Sequence, residues 1–220
     1  MRTNPNLEIK SDKTYYARSR TWPSVFKIRR GARVLDIGCG RGNLGSYLQT
    51  EYGCKVTGLE IIKDNFLIAS TVLYEAHLGD IEIMDLHALG SDFDYIVFSD
   101  SLEHMLNSQA VLERVKRLLH KDGHLLISMP NIRNFRVTVP LLFADQWNYQ
   151  DEGLLDRTHL RFFTCTSICK LIEECGYTVE DVKYDLPLTS KVGILNLLTF
   201  GIFRRHLTSH YFISACLKKY

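Results

Sequence analysis

The sequence predicts an α/β fold in which a mostly parallel sheet is covered by helices on both faces. Three observations carry that reading. From Arg33 onward, short apolar runs of strand character alternate with amphipathic runs of helical period. Strands buried on both faces, and the helices that cover them, leave this pattern. A cluster of glycines falls between the first such strand and the first helix, where the chain must turn sharply. The length, 220 residues, suits one domain large enough to bury a core without disulfide or metal support.

Residues 1–30 read as a helical cap, with Tyr15, Tyr16, Arg18 and Trp22 placed to lie over the sheet edge. Ala32–Ile37 is the first strand and Asn43–Glu51 its helix. Lys55–Leu59 is the second strand, followed by a helix from about Asp64 to Tyr74, and a short third strand falls near Ala76–Gly79. Phe93–Ser99 is the fourth. Gln109–Leu119 puts Val111, Leu112, Val115, Leu118 and Leu119 on one helical face. Lys121-Asp122-Gly123 is expected to stop that helix before a fifth strand, His124–Ser128, which Pro130 ends. The alternation then lapses. Residues 131–164 are long, aromatic and basic, and 186–206 form a second insertion; both are expected to shape a ligand site or a cap. Between them a helix over Thr166–Glu174 and a strand over Tyr177–Tyr184 resume the fold, and His210–Leu217 closes it. The whole, 1–220, reads as a single domain.

Composition narrows the function. A formal net charge of +2 leaves no electrostatic footprint for nucleic acid, and no such partner is expected. The six cysteines show no CxxC pairing and no signal-peptide pattern is read, so the expectation is reduced thiols and a cytoplasmic protein. Cys165, Cys169 and Cys175 lack a second ligand pair and read as ordinary helix rather than a zinc cluster. The longest apolar run, Val192–Phe203, is too short for a bilayer, which takes roughly 20 residues. A helix there is apolar almost all round, so it is expected to pack over the domain. The alternative is a partner or peripheral membrane contact through 192–205, between Lys191 and Arg204-Arg205.

Asp36-Ile-Gly38-Cys-Gly40-Arg-Gly42-Asn-Leu-Gly45 stands where the first strand becomes its helix. Gly40, Gly42 and Gly45 satisfy GxGxxG, which by itself fits a dinucleotide as well as other nucleoside ligands. Asp36 separates them. A carboxylate just before the first glycine opposes a diphosphate and suits a ligand with an ammonium and a sulfonium, such as S-adenosylmethionine (SAM). Glu60 closes the second strand roughly 20 residues later, where an acid can accept from both ribose hydroxyls. Asp80 ends the third, so three carboxylates converge on one rim and a cation relieves their repulsion. The plain alternative for each acid alone is a helix cap or a solvated strand end.

Val34–Gly42 resembles motif I of the class I SAM-dependent methyltransferases. Val56–Glu60, Gly79-Asp80-Ile81, Phe93–His104 and Leu119–Ser128 are similar to later motifs of that family. The resemblance implies a Rossmann-like, seven-stranded sheet whose last strand, His210–Leu217, is antiparallel. It implies SAM contacts from Asp36, Gly38, Gly40, Gly42, Asn43, Glu60, Ile61, Asp80, Ile81 and Ser99, with Asp80 on the adenine amino group. Asp100-Ser-Leu-Glu103-His104 resembles the E-x-x-E-H metal site of ubiquinone-pathway and small-RNA O-methyltransferases. Asn107 stands where the RNA enzymes carry a second histidine, so no metal is expected: Glu103 reads as starting a helix and His104 as lining the pocket. Gly153–Thr164 resembles a segment of methyltransferases from bacterial surface-polysaccharide clusters, and Ser128–Arg136 one of MetW-type proteins.

Methyl transfer to an alcohol needs in-line positioning and a base of near-neutral pKa. His159 is the expected base, with His104 next, and Arg157, Tyr149 and Asn131 are the expected acceptor contacts. Structural support is an equal alternative for His159 and the favoured one for Asp156 and Arg157. The expected function is SAM-dependent O-methylation of a hydroxylated small molecule or glycan; a MetW-type accessory protein is the alternative. An NAD-dependent oxidoreductase is disfavoured by Asp36 and by the lack of a hydride-transfer tyrosine–lysine pair.

Overall fold

The structure, a computed structural model, describes residues 25–186 and 190–219. Its strands are β1 (Arg33–Ile37), β2 (Lys55–Glu60), β3 (Glu75–Leu78), β4 (Phe93–Ser99), β5 (Leu119–Pro130), β6 (Tyr177–Tyr184) and β7 (His210–Leu217). They form one seven-stranded sheet in the order β3-β2-β1-β4-β5-β7-β6. β1, β2 and β3 pair in parallel, whereas β7 runs antiparallel to both β5 and β6. This is the Rossmann-like arrangement with its antiparallel last strand. The described residues divide into two compact units, 25–97 with 117–123, and 98–116 with 124–186 and 190–219.

In the first unit, helix α1 (Asn43–Tyr52) follows β1 and α2 (Lys63–Val72) follows β2. Val34, Leu35 and Ile37 are buried, as a central parallel strand requires. Gly42 ends the turn into α1 at φ 81°, and a Cβ there would meet Val72 Cγ2 at 2.9 Å. At Gly45 it would meet Leu73 and Val56 side chains, so Gly45 lets α1 approach β2 closely and Gly42 makes room for the end of α2. Gly40, at φ 56°, has nothing within 4 Å of that position and faces open space. Ile37 pairs with Leu59 and Glu60 with Leu78, so the carboxyl ends of β1, β2 and β3 are level. Strand periodicity thereby brings Asp36, Glu60 and Asp80 to one edge.

The second unit contains α3 (Ser108–Val115), α4 (Phe135–Ala144), α5 (Cys165–Glu174), α6 (Lys191–Leu198) and α7 (Arg204–Leu207). Asn107 caps α3 by accepting from Ala110 N at 3.0 Å, and Thr164 caps α5 through a capping box with Ser167. Asn131 and Asn134 staple the entry of α4 to the end of α7. Asn131 Nδ2 donates to Arg205 O and Thr208 O, both at 2.9 Å, and Asn134 Nδ2 donates to Thr208 O at 2.7 Å.

Two expectations are corrected. Lys121-Asp122-Gly123 does not separate helix from strand, because β5 already begins at Leu119. Gly123 is a strand glycine beside a close neighbour: a Cβ there would lie 2.7 Å from the Phe93 carbonyl oxygen. The apolar run 192–203 does not form a buried cap either, since Leu197, Leu198, Phe200 and Ile202 are exposed. The cap expected over 1–30, with Tyr15, Tyr16, Arg18 and Trp22, lies almost wholly outside the described residues. All six cysteines are unpaired. Among the described residues, no helix is long and apolar enough to cross a membrane.

Candidate active site

In the first unit the turn after β1 is tied down before any ligand is considered. The Gly38 and Cys39 N–H groups both donate to Leu59 O, at 2.9 and 3.1 Å. Glu60 secures the other side: its Oε2 accepts from Gly40 N and its Oε1 from Ile62 N, each at 2.8 Å. Each carboxylate oxygen has a further lone pair, so Glu60 keeps capacity to accept from a ligand hydroxyl. Asp80 Oδ1 accepts from Glu82 N at 2.8 Å, an Asx-type turn that leaves Oδ2 for a ligand donor. Ile61 is exposed and Ile81 buried, while Asn43 opens α1 with no acidic residue in its first turn.

Asp36 is the anomaly. It is 2% exposed, and its Oδ1 has no hydrogen-bond partner. Burial first, and the Glu60 charge second, push its pKa up to about 7. Glu60 is likewise raised, by burial, against the pull of its backbone donors. A cation that donates hydrogen bonds would relieve both strains at once. The orphaned carboxylate, the open position at Gly40 and the acid-free start of α1 together fit an amino-acid head group carrying an ammonium, a carboxylate and a sulfonium.

In the second unit Glu103, His104 and His159 come together. Glu103 and His104 lie on a single 3₁₀ turn, Leu102–His104, immediately beyond β4. His159 Nε2 is 3.8 Å from Glu103 Oε1, with side chains 5% and 1% exposed. The His104 and His159 rings meet edge-on at 4.9 Å, and His104 Nδ1 lies 3.1 Å from Thr158 O. The loop is clamped from two sides. Leu160 N and Arg161 N donate to Glu103 O, and buried Asp156 accepts from Thr158 N and Thr158 Oγ1 at 2.9 and 2.6 Å. Potential ligand atoms of Glu103, His104 and His159 all lie within 4.8 Å of one another, so the group could hold a metal ion. Its donors, two imidazoles and one carboxylate, suit a transition ion better than magnesium. Asp100 is outside this group. Its Oδ1 accepts from Ser128 Oγ at 2.8 Å and lies 3.8 Å from His210 Nε2.

Residues 13–182 match a family model described as a methyltransferase domain. The chain belongs to that family. SAM is accordingly the cofactor of this methyltransferase-family chain, in keeping with the loop around Asp36. The chain is 29% identical over 177 residues to a ubiquinone biosynthesis O-methyltransferase of Dinoroseobacter shibae, covering 76% of this chain and 67% of that one. It is 29% identical over 126 residues to the (S)-tetrahydroprotoberberine N-methyltransferase of Eschscholzia californica, 55% of this chain and 36% of that one. The match thus spans about a third of the plant relative's length. A SAM-dependent methyltransferase from Archaeoglobus fulgidus has the same fold, with TM-score 0.65 at 22% identity, covering 93% of this chain and 94% of that one. So has a TehB-like one from Corynebacterium glutamicum, at 0.58 and 18%, covering 94% and 97%.

The first unit of this methyltransferase domain therefore holds Asp36, Gly38, Gly40, Gly42, Asn43, Glu60, Ile61, Asp80 and Ile81 around one edge, while Ser99 ends β4 in the second. Tyr149 is exposed in an aromatic group with Trp147 and Phe162, the latter 6.1 Å from the His159 ring. Arg157 pairs with Asp151 at 2.8 Å on the exposed side. Asn131, expected at the acceptor, is fully buried, with its amide engaged by Arg205, Thr208 and Arg133 backbone; its role here is the α4–α7 staple. Sequence reasoning missed the burial of Glu103 against His159. The available signal was Glu103-His104 paired with Thr158-His159, two short motifs 55 residues apart with nothing local to link them. Replacing Glu60 by Ala removes charge-assisted acceptors worth about 1.5–3 kcal/mol, so SAM affinity measured by calorimetry should fall about tenfold or more. Unchanged affinity in a folded Glu60→Ala variant contradicts the assignment of Glu60 to the cofactor.

Proposed function

We propose that this chain transfers a methyl group from SAM to a hydroxyl of a small-molecule or glycan acceptor, with His159 as general base. The observation that carries the reading is the buried Glu103–His159 pair beside His104. Asp36, Glu60, Asp80 and the backbone of 38–42 would hold the cofactor, which when bound supplies an electrophilic methyl group. The chain's own residues must position the acceptor and remove its proton. The hydroxyl proton passes to the His159 imidazole, and Glu103 Oε1, 3.8 Å from Nε2, stabilises the imidazolium. Nδ1 of His104 donates to Thr158 O, which leaves Nε2 as the acceptor in the neutral ring. Trp147, Tyr149 and Phe162 offer the acceptor an aromatic wall continuous with His159. Arg157 contributes beyond it, on release from Asp151.

His159→Ala should lower turnover by about 10²–10⁴-fold while leaving SAM affinity within a factor of about two. Turnover is read as S-adenosylhomocysteine released on incubation with an oligosaccharide or metabolite pool. Near wild-type turnover moves the base to His104. No release from any pool by the wild type, with SAM bound tightly, favours the accessory-protein reading instead. A second reading of the cluster follows from its ligand-like spacing, namely a divalent ion held by Glu103, His104 and His159 that acidifies the hydroxyl directly. Turnover is expected to survive EDTA, because Asp100 faces Ser128 and His210 rather than this group. Loss of turnover on EDTA treatment, restored by manganese or magnesium, establishes the metal reading.

A further inference from the structure

Among the described residues, the most exposed apolar side chains lie in the second unit and have no part in the chemistry above. Leu197 and Leu198 are 67% and 71% exposed on α6, and Phe200 is 93% exposed just beyond it. Ile202 and Phe203 continue the surface, and α4 exposes Leu141, Leu142 and Phe143. Phe200 has φ 51°, a left-handed conformation unusual for a bulky side chain, and Gly201 follows at φ 74°. Phe200 thus takes the left-handed position that ends α6, one that glycine usually fills, and its ring is left exposed there. Packing of this size left open is a mark of an interaction surface.

Charge says what the surface meets. Residues 131–144 and 186–209 contain none of the chain's 25 carboxylate side chains, the nearest being Asp145 and Asp185 at their borders. Between them they carry Arg133, Arg136, Lys191, Arg204 and Arg205. The two segments meet at the asparagine staple, where Arg133 also contacts His206 at 3.1 Å. Apolar side chains interleaved with cations of one sign suit an interface with anionic headgroups, cations at the phosphates and Leu and Phe in the acyl boundary. A second copy of the chain is a poor occupant, since a two-fold contact sets these cations against their own copies. Residues 1–24 are no better, with five cations against two acids.

We propose that the surface formed by α4, α6 and residues 199–205 binds the face of an anionic membrane. The binding is independent of the methyl-transfer assignment and reversible, and among the described residues no helix is long and apolar enough to cross the bilayer. Flotation of the full chain with vesicles of phosphatidylcholine, alone or mixed equally with phosphatidylglycerol, tests it. The chain should float at least about tenfold more with the anionic vesicles, and less as salt is raised. Leu197→Asp with Phe200→Asp, and separately Arg136→Glu with Lys191→Glu, should each reduce flotation about tenfold. SAM affinity and melting temperature should stay at wild-type values in both, since all four positions are exposed. Absence of the wild type from both kinds of vesicle overturns the proposal. So does equal binding to both, or a lipid-free dimer that the Leu197→Asp, Phe200→Asp variant abolishes.

Discussion

An ionised carboxylate, almost wholly buried and with one oxygen unpartnered, is unstable unless a positive charge arrives to meet it. Asp36 meets that burial and that missing partner, so its ionisation is opposed until such a charge arrives. The turn that follows is pinned to β2 through the Leu59 carbonyl and to Glu60 through Gly40, so the carboxylate cannot swing out to water. Glu60 itself adds like charge nearby and raises Asp36 further. The glycines divide the remaining work. Gly45 lets α1 lie against Val56 of β2, Gly42 leaves room for Val72 and Leu73 at the end of α2, and Gly40 leaves its outer side clear for a ligand. The unliganded state carries the strain, and on the proposed assignment a cationic cofactor at Asp36 would remove it, building binding specificity into the scaffold.

The second unit repeats the pattern with a different pair. Buried Glu103 and His159 are weak evidence for stability, because two desolvated groups cost about as much as their attraction returns. The surrounding loop nevertheless spends several hydrogen bonds on keeping them in place. Glu103 O takes two backbone donors from Leu160 and Arg161, and Asp156 fixes Thr158 on the other side. Under the proposed reading, with His159 as base and Glu103 as its counter-ion, groups held by backbone rather than by flexible side chains would be pre-organised for proton transfer, with little rearrangement left at the moment of reaction.

How much of this was legible depended on whether the signal was local. β4, β6 and β7 were read to the residue, since alternating or continuous apolar runs bounded by polar residues define a strand by themselves. Asp36, Glu60 and the glycine turn were legible for the same reason: strand ends and turn chemistry fix their positions. The start of β5 was misread because Lys-Asp-Gly is a turn signal in isolation, and only the Phe93 carbonyl across the sheet shows that Gly123 is needed in a strand. α4 was missed behind Pro140, although Asn134 supplies its N-cap. The exposure of 194–203 and the meeting of Glu103 with His159 are tertiary facts. Apolar periodicity says that a face wants burial, not whether the domain provides it.

The central claim is that the cofactor's positive charge ionises Asp36, and proton release on binding measures that directly. Calorimetric titration of SAM in buffers of differing ionisation enthalpy gives the number of protons exchanged. With Asp36 raised to about 7 in the unliganded protein, binding at about pH 6.5 should release a large part of one proton. The release should vanish about a unit and a half higher in pH and be absent from Asp36→Asn. No proton release by the wild type below neutrality, or the same release from Asp36→Asn, would contradict the account.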